Sequence, residues 1–345
     1  MTLSTRKENI LATIVRNYIR TGEPMGSKSL CEELGGVSSA TIRNEMSELD
    51  ALGYLAQQHT SAGRIPTEQA FRLYVDSLMV PHRLNQKEQE FLDSLVPSAE
   101  GDVDRVLHRA AQVLSDLTRC AALLTVEPDP NTAIHKVELL PMSSHAALLV
   151  MVTSAGTVES RMFRFGAPLS ATLIERFMHI ADRHLIGTPL SSLQPAMLQT
   201  LIAGAGDLSL ELTPLMSALA DLVAESSQSR LELTGQSNLL MCGEFSPMRV
   251  REVIDLFLRS EEVLTMLDVW NKESGVILGG DTVYRALESS SMVVARYRLG
   301  GNHTGYLGIL GPVRMDYAAM LPSICYFTEA LERAFCGENK KGRIQ

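Results

Sequence analysis

Aromatic residues are scarce in this chain of 345 residues, at 5% of the sequence with a single tryptophan. Cysteine is scarcer still. Cys31, Cys120, Cys242, Cys325 and Cys336 form no CxxC pair and give an odd total, which fits reduced core thiols rather than a disulfide framework or a zinc site. Long apolar runs are missing as well. The best, around Ala146 to Val152, falls far short of the roughly 18 residues that a bilayer crossing needs and reads as a buried strand, so no membrane partner is expected. The opening MTLSTRKENI places Arg6, Lys7 and Glu8 ahead of any apolar run and lacks a small-residue cleavage pattern, so a cytoplasmic location is expected. Surplus positive charge is absent too: the formal net charge is -9. That excludes a protein that coats nucleic acid indiscriminately and confines any such binding to a local face.

Catalytic and cofactor signatures are also lacking. LIAGAG and VILGGD are glycine-rich yet have neither G-x-G-x-x-G before a helix nor a G-K-[ST] ending. No nucleophile elbow or HExxH appears. His179 and His184, five residues apart, would stand about 140° apart around a helix and share no metal. No cofactor, no metal and no enzymatic activity are expected.

What is present is a folded chain, 45% apolar and 21% charged with a mean hydropathy of +0.05, long enough for two or three domains. Twelve of its 16 methionines lie beyond residue 80, giving the larger part a soft, adaptable interior. Residues 1–80 read as a winged helix-turn-helix. Thr5 to Glu8 has the form of a capping box, and Ile10, Leu11, Ile14, Val15, Tyr18 and Ile19 follow at helical spacing. A short helix from Ser27 carries Leu30 and Leu34 and ends at Gly35 and Gly36. The third helix, capped by Ser38 or Ser39, points Ile42, Met46 and Leu49 inward. YLAQQ, the tip HTSAG and RIPT form a hairpin, and a last helix from Thr67 carries Phe71, Tyr74, Val75 and Leu78.

The other face of the third helix shows Ala40, Thr41, Arg43, Asn44 and Ser47: a guanidinium fork, an amide and hydroxyls, the groups that read base edges and phosphates. Lys28 and Arg64 suit phosphate or minor-groove contact. With Ser39 and the tip residues His59, Thr60 and Ser61 they complete the candidate DNA-binding set for a double-stranded partner. Residues 1–80 hold 8 Lys or Arg against 9 Asp or Glu, so non-specific affinity should be modest and binding should rest on paired domains and particular contacts.

A polar connection over 81–101 precedes a change of pattern. Residues 103–122 read as helix, and HKVELLPM, HAALLVMVT and TVESRMFRF as three strands. Residues 170–233 read as helix, NLLMCGEF as a strand, and VREVIDLFLRSEEVLTMLDVW as one helix. SGVILGG, SMVVARYRLGG and GYLGILGPV read as strands before a helix from Tyr317 to Cys336. The order suggests an α+β domain interrupted by a helical insertion, whose apolar face around Leu215, Leu219 and Leu222 is a candidate contact between two copies.

The segment GGVSSATIRNEMSELDALGYLAQQHTSAGRIPTEQAFRLYVD, 35–76, strongly resembles the heat-inducible transcription repressor HrcA family, most specifically in VSSATIRNEM and HTSAGRIPT. YRLGG at 297–301 and GPVRMDY at 311–317 look like that family's C-terminal signature. The resemblance implies an α+β multidomain repressor. A winged helix over 1–80 and a linker over 81–101 would precede a GAF-like domain over 102–165 and 262–340 and a dimerising domain inserted at 166–261. It further implies a homodimer on an inverted-repeat operator of chaperonin and chaperone operons, active with the help of a GroEL-type chaperonin and inactive under heat stress. The alternative is a metabolite-sensing winged-helix repressor, since SSATIRNEMSELDALGYL is shared in outline with sugar-responsive regulators. Such a sensor needs a pocket with convergent polar groups. An enzyme with an appended regulatory domain would need a constellation that the sequence lacks.

Overall fold

A computed structural model describes residues 3–57, 63–96, 103–166, 168–299 and 303–336, the side chains of 303 and 336 excepted. The architecture is mixed α+β, in two units: Met1–Thr125 with Leu231–Tyr297 and Gly305–Gln345, and Val126–Arg230 with Arg298–Thr304.

The first unit opens with α1 (Thr5–Thr21), α2 (Ser27–Leu34) and α3 (Ser39–Ala51). The cap of α1 is Ser4, one residue before the expected Thr5: its Oγ accepts from the Lys7 N–H at 3.4 Å, so Glu8 has no part in a capping box. α2 stops at Gly35 and Gly36, whose φ of +63° and +68° lie in the left-handed region that a Cβ disfavours. The reversal into α3 depends on that freedom. β1 (Leu55–Ala56) pairs antiparallel with β2 (Ile65–Pro66), and α4 (Glu68–Leu73) follows, capped by Thr67 and widening into a π-helical turn at Tyr74–Leu78. Phe71 and Tyr74 of the expected stripe are buried, while Val75 and Leu78 are only partly covered.

The segment expected to be a linker holds α5 (Gln86–Leu95), started by a true capping box of Asn85 and Glu88. α5 packs along α13 (Tyr317–Cys336), where Asp93 accepts from the Tyr326 hydroxyl at 2.9 Å and from Arg333 at 3.1 Å. It is thus part of the first unit.

After α6 (Val103–Thr118) comes a five-stranded sheet. Its strands are β3 (Ala121–Val126), β7 (Arg230–Thr234), β8 (Ser274–Leu278), β9 (Ser290–Leu299) and β10 (His303–Pro312), in the order β7-β3-β10-β9-β8. β3 and β10 are antiparallel, as are β8 and β9. One face carries α10 (Ser237–Met241), α11 (Pro247–Leu258) and α12 (Ser260–Trp270), with Val250, Val253, Phe257 and Leu267 packed on Leu123, Val294 and Leu310. The opposite face, with Ala122, Val293, Leu307 and Ile309, is buried as well.

Four local expectations change here. The helix before 122 gives way to β3 at Ala121, and β7 interrupts the helical stretch that runs to 233. NLLMCGEF is no strand, because Asn238–Met241 belong to α10. The single long helix is two, broken at Arg259 with φ -92° and ψ 61°.

The second unit is built on a meander of β4 (Ile134–Ser143), β5 (Ala146–Thr153) and β6 (Val158–Arg164), all antiparallel, with α7 (Ala171–Ile180), α8 (Pro195–Ala203) and α9 (Ser209–Ser226). These three strands share no sheet with the other five, so the division falls at 126 and 230 rather than at 166 and 261. Ala147, Leu149 and Met151 point inward from β5 and meet Leu173 and Phe177 of α7 and Leu212, Leu215, Leu219 and Leu222 of α9. The expected contact face of Leu215, Leu219 and Leu222 is therefore core: the three are 0%, 0% and 1% exposed. The apolar stripe of α9 is satisfied by the sheet of its own unit. Arg161 closes one side, donating to Asp221 at 2.8 Å and to Glu225.

Replacing Leu219 by Ala is expected to lower the unfolding free energy by about 2–5 kcal/mol, since a buried branched side chain leaves a cavity. A urea titration measures this, and a loss below about 1 kcal/mol would mean that α9 is not core.

Candidate nucleic-acid interface

α3 begins where Ser38, in extended conformation, accepts the Thr41 N–H at 3.2 Å through its Oγ. The Thr41 hydroxyl lies 3.0 Å from the same oxygen, and Ser39 Oγ donates to Ser27 Oγ at 3.5 Å, tying the first turn of α3 to the start of α2. Ile42, Met46 and Leu49 are buried, whereas Ala40, Arg43, Asn44 and Ser47, at positions i, i+3, i+4 and i+7, are exposed on one face. Ser47 Oγ donates to the Arg43 carbonyl at 2.9 Å and is occupied by its own helix. Arg43 and Asn44 have no side-chain hydrogen bond or ion pair among the described residues, and their donors face solvent. Lys28, in the first turn of α2, is exposed and equally unpaired.

The hairpin is anchored at its base. Arg64 and Met25 exchange backbone hydrogen bonds of 2.9 and 3.0 Å, and a Cβ on Gly63 would come within 2.5 Å of the Met25 carbonyl group, so only glycine allows this approach. The Arg64 Nε lies 2.8 Å from the Asp50 carboxylate near the end of α3. Arg64 thus stands at the foot of the hairpin, bound to α3, rather than free at its tip. His59, Thr60 and Ser61 lie outside the described residues.

The sequence pattern did not disclose how α3 manages its own charge. The helix carries one Arg against Glu45, Glu48 and Asp50, a balance that would repel a phosphate backbone. Each carboxylate is met by a cation from elsewhere. Lys7 of α1 lies 2.8 Å from Glu48 and 3.2 Å from Glu45, Arg6 lies 3.7 Å from Glu45, and Arg64 takes Asp50. Hydrogen bonds to Glu48 and then Glu45 hold the Lys7 pKa above its ordinary value, keeping the ammonium charged. No short-range spacing announces these pairs, because Lys7 and its partners are about forty residues apart and Arg64 and Asp50 are joined across the hairpin.

Elsewhere the chemistry is quiet. Burial pushes the Cys120 thiol up to about 11, leaving it protonated and unreactive at neutral pH. Among the described residues no three His, Cys, Asp or Glu side chains converge as a metal site, and no helix is long and apolar enough to cross a membrane.

Residues 104–321 match the family model of the HrcA protein C terminal domain. The chain is 31% identical to the heat-inducible transcription repressor HrcA of Shouchella clausii (strain KSM-K16) over 97% of its own length and 99% of that protein. It is 32% identical to the protein of the same name from Methylobacillus flagellatus over 96% and 98%. A solved structure described as a hypothetical protein at 2.2 Å resolution aligns with a TM-score of 0.59 at 22% identity, covering 97% of this chain and 99% of that one, and shares its fold. Similarity to full-length repressors along nearly the whole chain, together with the match from 104 to 321, shows that this protein belongs to the HrcA family of heat-inducible transcription repressors, a family of regulators and not of enzymes.

Proposed function

We propose that α1 to α4 with the hairpin form a winged helix-turn-helix that binds double-stranded operator DNA, with α3 in the major groove. The observation that carries this reading is the two-sided α3, whose buried face leaves Arg43 and Asn44 outward and unpartnered. Arg matches the O6 and N7 of guanine and Asn the N6 and N7 of adenine. Ser39, Ala40, Thr41 and Ser47 frame those two, Lys28 meets phosphate, and His59, Thr60 and Ser61, outside the described residues, complete the proposed DNA-binding set. Arg64, its Nε held by Asp50, sets the hairpin and offers its remaining N–H groups to the DNA. Replacing Arg43 by Ala should cost about 1–3 kcal/mol and relax base choice at one position of each half-site. Replacing Lys28 by Ala should weaken all sequences alike and reduce the salt slope by about one. Titration against operator, base-substituted operator and random DNA at several salt concentrations separates the two. An unchanged operator-to-random ratio for folded Arg43→Ala would remove Arg43 from base reading.

The operator is an inverted repeat before chaperonin and chaperone operons, and the repressor is a homodimer whose two-fold axis matches it. The five-stranded sheet with helices on it is the GAF-like domain, and the second unit is the dimerising domain. With α7 and α9 on its inner face, the meander turns Leu140, Leu148, Val150, Val152, Val158 and Met162 outward in register. Val158 and Met162 are 63% and 52% exposed. Leu140, Leu148 and Met162 lie side by side across the three strands, with Lys136, Glu138 and Ser160 elsewhere on the same face, and an apolar patch with a polar surround of this kind marks an interface. The double substitution of Leu140 and Met162 by Glu is expected to give a folded monomer in sedimentation. Retention of the dimer would place the interface elsewhere.

Activity depends on a GroEL-type chaperonin and fails under heat. Support comes from the Met-rich interior, with Met151, Met216, Met292 and Met315 buried, which is soft and adaptable packing. Only the packed dimer binds operator, so the fraction in that state sets repression. Purified protein carried through a heat step is expected to lose operator binding and to regain it when chaperonin and ATP are added. Full recovery in buffer alone would overturn the dependence.

A further inference from the structure

In the first unit a cleft of about 620 Å³ opens between α12 with β8 on one side and the α4 segment on the other. Small-molecule sites commonly enclose roughly 300–1,000 Å³. Buried Val276 and Ile277 of β8 are among its lining residues, and Trp270, the only tryptophan in the chain, makes a wall. The indole is fixed in place. It packs edge-on to Tyr306 at 6.0 Å, and a Cβ on Gly275 would come within 3.0 Å of the ring. Val269 and Val283 stand at the lip, 82% and 88% exposed.

The polar groups of the walls are already engaged. Thr265 Oγ1 donates to the Glu261 carbonyl at 2.7 Å, Thr282 Oγ1 to the Gly279 carbonyl at 2.7 Å, and Tyr284 Oη to the Glu262 carbonyl at 3.1 Å. Arg72 is paired with Asp281 and lies 3.4 Å from Asp76. Lys272 is the exception: its ammonium sits 5.9 Å from the Trp270 ring centroid and has no carboxylate partner among the described residues. A sugar or polyphosphate would find few open donors here. An apolar body with one negative charge would find a flat ring, aliphatic walls and a single cation.

We propose that this cleft binds a small monoanion with an aromatic or branched apolar body, seated against Trp270 with its carboxylate toward Lys272. The site is separate from the DNA-binding face of α3, and Arg72 and Asp76 in its wall belong to the segment that follows the hairpin.

The lone tryptophan gives the readout. The intact protein is titrated with 3-phenylpropionate, with 4-methylpentanoate and with the uncharged 3-phenylpropanamide while the Trp270 emission is followed. Saturable changes are expected with at least one of the acids, and about tenfold weaker binding of the amide, the ratio that loss of one charge-assisted contact of about 1.4 kcal/mol gives. Lys272→Gln should bind acid and amide alike. The proposal is overturned if neither acid gives a saturable change, if acid and amide bind equally to the parent protein, or if Lys272→Gln keeps the preference. No DNA is present in the titration, so its failure leaves operator binding untouched.

Discussion

Burial of Ile42, Met46 and Leu49 sets the rotation of α3, and with it which side chains can meet a partner. Ala40, Arg43, Asn44 and Ser47 are outward because the opposite face is spent on the core around α1. The same helix is acidic, so presenting it to a polyanion requires that its carboxylates be answered first. Lys7 and Arg64 do this from opposite directions, one from the first turn of α1 and the other from the foot of the hairpin. These pairs are half-buried, with the Lys7 and Glu45 side chains 19% and 16% exposed. Their importance is local: Arg6, Lys7 and Arg64 offset the three carboxylates of α3.

The N-terminal elements were legible because each is marked by local chemistry. Gly35 and Gly36 punctuate, Ser38 caps, and the period of Ile42, Met46 and Leu49 points inward. The cap of α1 slipped by one residue because Ser4 and Thr5 are both competent caps, and only backbone geometry separates them. Short apolar runs were harder. Ala121–Val126 follows a helix directly and has no alternation, since both faces of its sheet are covered, so a helix period extends over it without conflict. NLLMCGEF failed the other way: four apolar residues in a row suit a strand as well as a helix turn. At the site, the side chains of α3 were readable from periodicity. The ion pairs around them were not, because they depend on tertiary approach between distant segments.

β5 shows how one strand can hold two pieces of information. Its sequence AALLVMVT is apolar at almost every position, the pattern of a strand covered on both faces. Helices α7 and α9 account for Ala147, Leu149 and Met151. Leu148, Val150 and Val152 face the other way, Leu148 between Leu140 and Met162 and Val150 between Glu138 and Ser160, so the hydrophobicity of this strand exceeds what one layer of helices uses. The stripe of α9 looked like a surface for the same reason that β5 looked fully buried. Apolar periodicity states how much must be covered, and says nothing about whether the cover comes from the same chain.

β3 and β7 are immediate neighbours in the five-stranded sheet, yet the second unit's main segment, Val126–Arg230, lies between them in sequence. Adjacent strands are only about 5 Å apart, so the sheet holds the exit and return of that segment as closely as the two ends of a hairpin loop. The entropic cost of closing such an excursion rises only logarithmically with its length. To the sheet, more than a hundred intervening residues are topologically a long turn. Mutation can therefore enlarge, shorten or reshape the excursion without disturbing the strand order, which lets the surface it carries evolve at a different pace from the N-terminal helices.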